Sequence, residues 1–152
     1  MLLDLLNVQT VQVVEGTDMD WQQAIKLAAE PLLSNKTIEK EYVSEMLNVV
    51  KSEGPYINIG PKIALAHSRP AGNVHKIGLS ILKTNHSINL VNNDHPVNLW
   101  FVLAAVDNNS HLAVIKELME LLTDKTAVAD MLNATNESEI LKIIAHEQEL
   151  QK

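Results

Sequence analysis

Val97-Asn-Leu-Trp-Phe-Val-Leu-Ala-Ala-Val106 decides the architecture. From Leu99 to Ala105 the residues are all apolar, with no polar alternation. That pattern reads as a strand covered on both faces, and so as the centre of a sheet. Turn formers bracket it, Asn92-Asn-Asp-His-Pro96 before and Asp107-Asn-Asn-Ser110 after. Upstream, Tyr56-Ile-Asn-Ile59 and Ile63 to Ala66 read as two short strands joined at Gly60-Pro61. Ala71-Gly-Asn73 is a turn, Ile77 to Leu82 a further strand, and Val8 to Val14 a loosely alternating first strand.

Helical periodicity frames this block. Thr17-Asp-Met-Asp20 has capping-box character and opens a pattern through Trp21, Ile25, Ala28 and Leu32. From about Ile38 a second helix carries Tyr42, Val43, Met46, Leu47 and Val50 on one face and stops at Gly54-Pro55. After Ser110 a stripe of Leu112, Ile115, Leu118, Met119 and Leu122 predicts a third helix. A short helix over Asp124 to Leu132 and a last one through Ile140 and Ile144, capped by Thr135 or Asn136, complete the order. The expectation is a three-layer α/β domain, its mixed parallel/antiparallel sheet flanked by helices on both faces, with residues 1–152 forming one unit.

Composition narrows the function classes. Hydrophobic residues make up 46% of the 152 residues but aromatics only 3%, so the core is aliphatic. Twelve basic against nineteen acidic residues give a net charge of −7, and no basic face stands out, which argues against nucleic acid. The absence of Cys excludes disulfides, thiol catalysis and cysteine metal sites. No apolar run is long enough to span a bilayer, and the acid in Met1-Leu-Leu-Asp-Leu-Leu argues against a secretory signal. A cytoplasmic protein is expected.

The chemistry rests with histidine. In Ile63-Ala-Leu-Ala-His67-Ser-Arg-Pro70 an apolar strand delivers His67 into a turn beside Arg69. Neutral imidazole has a lone pair that can act as a nucleophile, although a histidine can also merely end a strand. His111 opens the helix after the central strand, where unpaired backbone N–H groups and the helix field suit an anion. Of the other histidines, His146 belongs to a polar C-terminal segment, His86 and His95 to turn-rich segments, and His75 follows the Gly72-Asn73 turn. A zinc site built on His67 and His111 lacks a third ligand, and no HExxH spacing occurs.

With both histidines placed, the chain resembles the enzyme IIA domains of the bacterial sugar phosphotransferase system, in the mannitol–fructose superfamily. Gly60-Pro-Lys-Ile-Ala-Leu-Ala-His67 is similar to that family's phosphohistidine segment, and Asn109-Ser-His-Leu112 to its second histidine. Gly54-Pro-Tyr56, His67-Ser-Arg-Pro70, Asn93-Asp-His-Pro-Val97 and Ala104-Ala-Val-Asp-Asn-Asn-Ser-His111 resemble the ascorbate-type branch. Three departures stand out: Ala66 replaces the usual Pro, Lys51 lies near where many relatives place Arg, and Ala71-Gly-Asn73 lacks the branch's acids.

The resemblance implies a phosphohistidine relay that calls for no cofactor and no metal. The histidine phosphocarrier protein would phosphorylate His67, which would pass the group to a cysteine of a IIB component and through it to the membrane IIC component. His111 would steady the phosphoryl oxygens, with Arg69, Lys51 and Ser68 stabilising phosphate or docking partners. The transported sugar would be ascorbate or a related sugar acid, and a homodimer stays open. The alternatives are a regulatory module of the same fold that signals by phosphorylation-dependent protein binding, and a protein that shares the fold without phosphotransfer.

Overall fold

The computed structural model describes residues 2–69 and 72–150. In chain order its elements are α1 (Leu2–Leu5), β1 (Val11–Val14), α2 (Trp21–Ser34), α3 (Lys40–Glu53), β2 (Asn58–Gly60), β3 (Lys62–Ala66), β4 (Gly78–Asn89), β5 (Pro96–Ala104), α4 (Asn108–Leu122), α5 (Lys125–Asn133) and α6 (Glu137–Leu150). The strands form a five-stranded sheet in the order β1-β4-β5-β3-β2. β1 runs parallel to β4 and β3 parallel to β5, whereas β4 pairs antiparallel with β5 and β2 with β3. The mixed sheet expected from the sequence is therefore present, with β5 at its centre.

Alternation along β3 and β5 shows why the apolar run needs cover on both sides. Ala64, Ala66, Trp100, Val102 and Ala104 join the core beneath α2 and α3. Ile63, Leu65, Leu99, Phe101 and Leu103 join a second core with residues of α1, α4, α5 and α6. Neighbouring residues of one strand point to opposite faces, so each core claims every second side chain.

The helices form where the apolar spacing places them. In α3, Tyr42, Val43, Met46, Leu47 and Val50 are buried, and Gly54 ends the helix at φ 86° with its N–H on the Val50 carbonyl at 2.9 Å. That φ suits a residue without a Cβ, and Pro55 cannot resume the helix. α2 is capped three residues later than the Thr17 capping box predicts. The Asp20 carboxylate accepts the Gln23 N–H at 2.8 Å, and the Gln23 side chain closes the box on the Asp20 N–H at 2.9 Å. At α6 the cap is Asn136, whose Oδ1 accepts the Glu139 N–H at 3.0 Å.

β4 extends seven residues beyond Leu82, through Lys83-Thr-Asn-His-Ser-Ile-Asn89, so His86 lies in a strand instead of a turn. Lys83 is only 5% exposed, and its ammonium is satisfied by the Ala134 carbonyl at 2.9 Å and Asn85 Oδ1 at 2.5 Å. Among the described residues no helix is long and apolar enough to cross a membrane.

Candidate phosphoryl-transfer site

β3 and β5 are parallel neighbours, with Ala66 level with Val102. Their carboxyl ends therefore leave the sheet at the same edge, where ligands of open α/β sheets bind. His67 follows the last residue of β3, and the chain leaving β5 passes through Ala105 to Asp107 into α4, whose first turn ends at His111. The two imidazoles meet there, with ring centroids 5.5 Å apart and planes tilted by 48°.

His67 is half-buried, and its Nδ1 lies 2.9 Å from the carbonyl oxygen of Leu65. A carbonyl only accepts, so that contact places the proton of the neutral ring on Nδ1 and leaves the lone pair on Nε2. Burial lowers the pKa of His111 below the ordinary value, and the nearby His67 lowers it further. At neutral pH His111 is thus largely uncharged and able to take up a proton, beside a His67 ring whose free Nε2 is suited to act as nucleophile.

Both rings line an open cavity of about 630 Å3, together with Ser68, Arg69 and Asn108. Glu45, Val49 and Glu53 of α3 complete its lining. Those three residues recur at i, i+4 and i+8, which places them on one helix face. Lys51 is not on that face. It is exposed in the last turn of α3, about 200° around the helix from Val49. Of the five residues singled out in the sequence, His67, His111, Arg69 and Ser68 come together and Lys51 does not. A second cavity, of about 590 Å3, lies between α1, α4 and α6, and neither His67 nor His111 lines it.

Arg69 is exposed and, among the described residues, forms no ion pair with either glutamate. Glu45 is engaged by the Asn73 amide at 2.9 Å. The N-terminus of α4 is partly occupied by its own cap. The Asp107 carboxylate accepts the Ser110 N–H at 2.8 Å and the Ser110 hydroxyl at 2.9 Å, and these bonds lower its pKa. An incoming anion would thus find fewer free N–H groups at this helix end than an uncapped terminus offers.

A buried tyrosine fixes the loop that carries His67. Tyr42 of α3 is 1% exposed, and its hydroxyl donates to the Leu103 carbonyl at 2.6 Å while accepting the Ser68 N–H at 3.0 Å. It ties the residue after His67 to the end of β5. Burial raises its pKa to about 12. The sequence placed Tyr42 on the core face of its helix, and a buried phenol needs a polar partner. The partner's identity required the fold.

The other histidines have separate roles. His75 faces Glu39 at 3.4 Å, His86 faces Glu15 at 3.6 Å, and His95 Nδ1 lies 2.7 Å from Asn58 Oδ1. His146 is exposed. Pro70 and Ala71, part of the predicted turn after Arg69, lie outside the described residues.

Comparison with known proteins gives this geometry a family. The solution structure of the mannitol-specific cryptic phosphotransferase enzyme IIA from Escherichia coli superposes with a TM-score of 0.88 at 29% identity, covering 95% of this chain and 98% of that one. The ascorbate-specific phosphotransferase EIIA component of Escherichia coli K12 is 31% identical over 126 residues, 82% of each chain. The fold also matches the Escherichia coli mannitol enzyme IIA solved in complex with phosphorylated enzyme IIB, with a TM-score of 0.77 at 24% identity over 93% of this chain and 97% of that one. Residues 4–147 match the family described as "Phosphoenolpyruvate-dependent sugar phosphotransferase system, EIIA 2", and the chain belongs to that family.

Proposed function

We propose that this chain is a cytoplasmic phosphohistidine carrier in which His67 Nε2 takes a phosphoryl group from the histidine phosphocarrier protein and yields it to a cysteine of a IIB component. The observation that carries the reading is the pair of imidazoles 5.5 Å apart in one open cavity, with the nucleophilic ring's Nδ1 held by Leu65. Phosphoryl transfer asks a protein mainly for in-line placement and for charge compensation. The Leu65 contact orients the nucleophile. His111, as a proton donor or cation, and Arg69 would meet the phosphoryl oxygens, and Ser68 would offer a hydroxyl. Removing one such donor typically costs about 3 kcal/mol in the transition state.

In the accepting step the P–N bond of the donor breaks and its electron pair returns to the donor imidazole. The Nε2 lone pair of His67 forms the new P–N bond. Discharge reverses the roles, with a cysteine thiolate of the IIB component as nucleophile. The membrane IIC component would then act downstream.

Incubation with the phosphorylated carrier protein, followed by intact-mass measurement, tests this. His67→Ala should gain no phosphoryl group, and His111→Ala should gain one slowly. A His67→Ala protein that still acquires an acid-labile phosphate would refute the assignment. Discharge by a IIB cysteine supports transport, whereas a stable phosphoprotein that instead binds a target supports the regulatory alternative.

The segments Gly54-Pro-Tyr56 and Asn93-Asp-His-Pro-Val97 and the ascorbate-type relative favour ascorbate or a related sugar acid as the transported compound. Loss of ascorbate uptake on deletion of the gene would support that choice, and loss of mannitol uptake instead would overturn it.

A further inference from the structure

The α3 side of the cavity that holds the two histidines is acidic, which is unexpected for a pocket that is to receive an anion. Glu45 and Glu53 line it there, set against the single guanidinium of Arg69. Asp107 places a further carboxylate at the N-terminus of α4 and engages the N–H of Ser110. Lys51, the other cation near the end of α3, is on a different side of the helix. A phosphoryl group on His67 brings about two negative charges into this space.

We propose that Glu45 and Glu53 raise the phosphoryl-transfer potential of this chain, destabilising the phosphorylated state so that the group is passed on. The inference rests on His67 being the acceptor, as proposed above. The reaction concerned is the reversible exchange between two imidazoles. The donor's P–N bond breaks with its electron pair returning to the donor nitrogen, the His67 Nε2–P bond forms, and both rings are otherwise unchanged. Each neutral acceptor becomes a dianionic phosphoramidate, so the exchange creates no charge overall. Its equilibrium therefore reads the difference between the two pockets' surroundings. Repulsion from a carboxylate acts on the phosphorylated form of this chain alone. One unit charge beside a dianion across a solvated cavity shifts such an equilibrium by about three- to tenfold, and salt screens it.

A docking role makes a different prediction. Carboxylates that serve only to attract a basic partner change the forward and reverse rates together and leave the equilibrium constant untouched. Equilibrium measurements thus separate the two. Glu53→Gln changes an exposed side chain, and Glu45→Gln keeps an oxygen able to accept the Asn73 amide, so both variants preserve the packing.

The wild-type chain, Glu53→Gln, Glu45→Gln and the double variant are each equilibrated with the phosphorylated histidine phosphocarrier protein at low and at high salt. The phosphorylated fraction of both proteins is read by intact mass. Each single variant should shift the equilibrium about three- to tenfold toward phosphorylated chain, and the double variant further. The gap from wild type should shrink at high salt. Phosphorylated protein whose equilibrium is the same in all four forms would overturn the inference while leaving the carrier function standing. A wild-type chain that acquires no phosphate on His67 would overturn both.

Discussion

Replacing Tyr42 by phenylalanine removes one oxygen from the core and leaves two backbone groups without their partner. The Leu103 carbonyl loses a 2.6 Å bond in a buried setting, and the Ser68 N–H loses a 3.0 Å bond at the rim of the cavity. An unsatisfied buried acceptor costs about 1–3 kcal/mol, and the second bond adds about 1 kcal/mol where water replaces it only in part. Tyr42→Phe should therefore lose about 2–3 kcal/mol at neutral pH, which lowers the urea midpoint by roughly 1 M for a slope near 2 kcal/mol/M. The loss should depend on pH in one direction. Burial lifts the phenol from its ordinary 10.0 to about 12, so the unfolded chain ionises first. Stability from the neutral phenol is complete below pH 10 and is lost as the pH rises toward about 12. At pH 11 the wild type should have lost about 1.4 kcal/mol of this contribution, and the gap to Tyr42→Phe should have narrowed by that amount. Urea titrations of both proteins at pH 8 and pH 11 provide the measurement, with amide exchange at Ser68 as a local readout. A gap under about 0.5 kcal/mol at pH 8, or one that stays constant up to pH 11, would refute the role assigned to the hydroxyl.

Two further predictions concern the site and the sheet. His111 should titrate below 6.5 in the free protein, so its neutral form favours the fold and stability falls as acid protonates the unfolded chain first. Phosphorylation of His67 should raise that pKa, because a dianion favours the imidazolium. Imidazole NMR titrations before and after phosphorylation decide the matter, and an unmoved value excludes contact with the phosphoryl group. Gly78→Ala would place a Cβ 2.6 Å from Thr37 Cγ2 and 3.2 Å from Leu32 Cδ2, for an expected loss of about 1–3 kcal/mol. Adding Thr37→Ser, which deletes the clashing methyl but keeps the hydroxyl, should restore part of the midpoint, and no recovery would rule out that clash as the cause.

The parts of the fold legible in the sequence are those where one physical signal dominates. Leu99 to Ala105 announces β5 because a strand buried on both faces has no polar side chain to interrupt it. Gly54-Pro55 ends α3 where the backbone demands a left-handed residue. The far half of β4 was hidden because Lys83 and Thr84 are buried polar residues, and the Lys83 ammonium finds its partner in a distant segment, at the Ala134 carbonyl. The α2 cap was displaced because Thr17 and Asp20 both suit the role, and only Asp20 has a Gln three residues on to close the box. The placement of His67 just past an apolar strand, and of His111 in the first turn of the helix after the central strand, was legible. Glu45 and Glu53 were not, since a carboxylate on an exposed helix face looks the same whether it meets solvent or a neighbouring cavity. Their spacing from Val49 marks a common face, but which neighbour that face meets is set by the packing of α3 on the sheet.

The two rings meet because the ladder between β3 and β5 brings both strand ends, about 4.8 Å apart, to one edge of the sheet, and the short link from Ala104 into α4 carries His111 from there. The exposed turn at residues 92–94 can vary or lengthen without re-spacing the reactive pair, whereas β4, buried between β1 and β5, cannot drift. A single-residue slip of that ladder is another matter, because it would swap side chains between the two cores and part the rings in one step. Variation among such carriers should thus collect in the connecting loops, while the two short stretches of paired backbone keep the chemistry in tune.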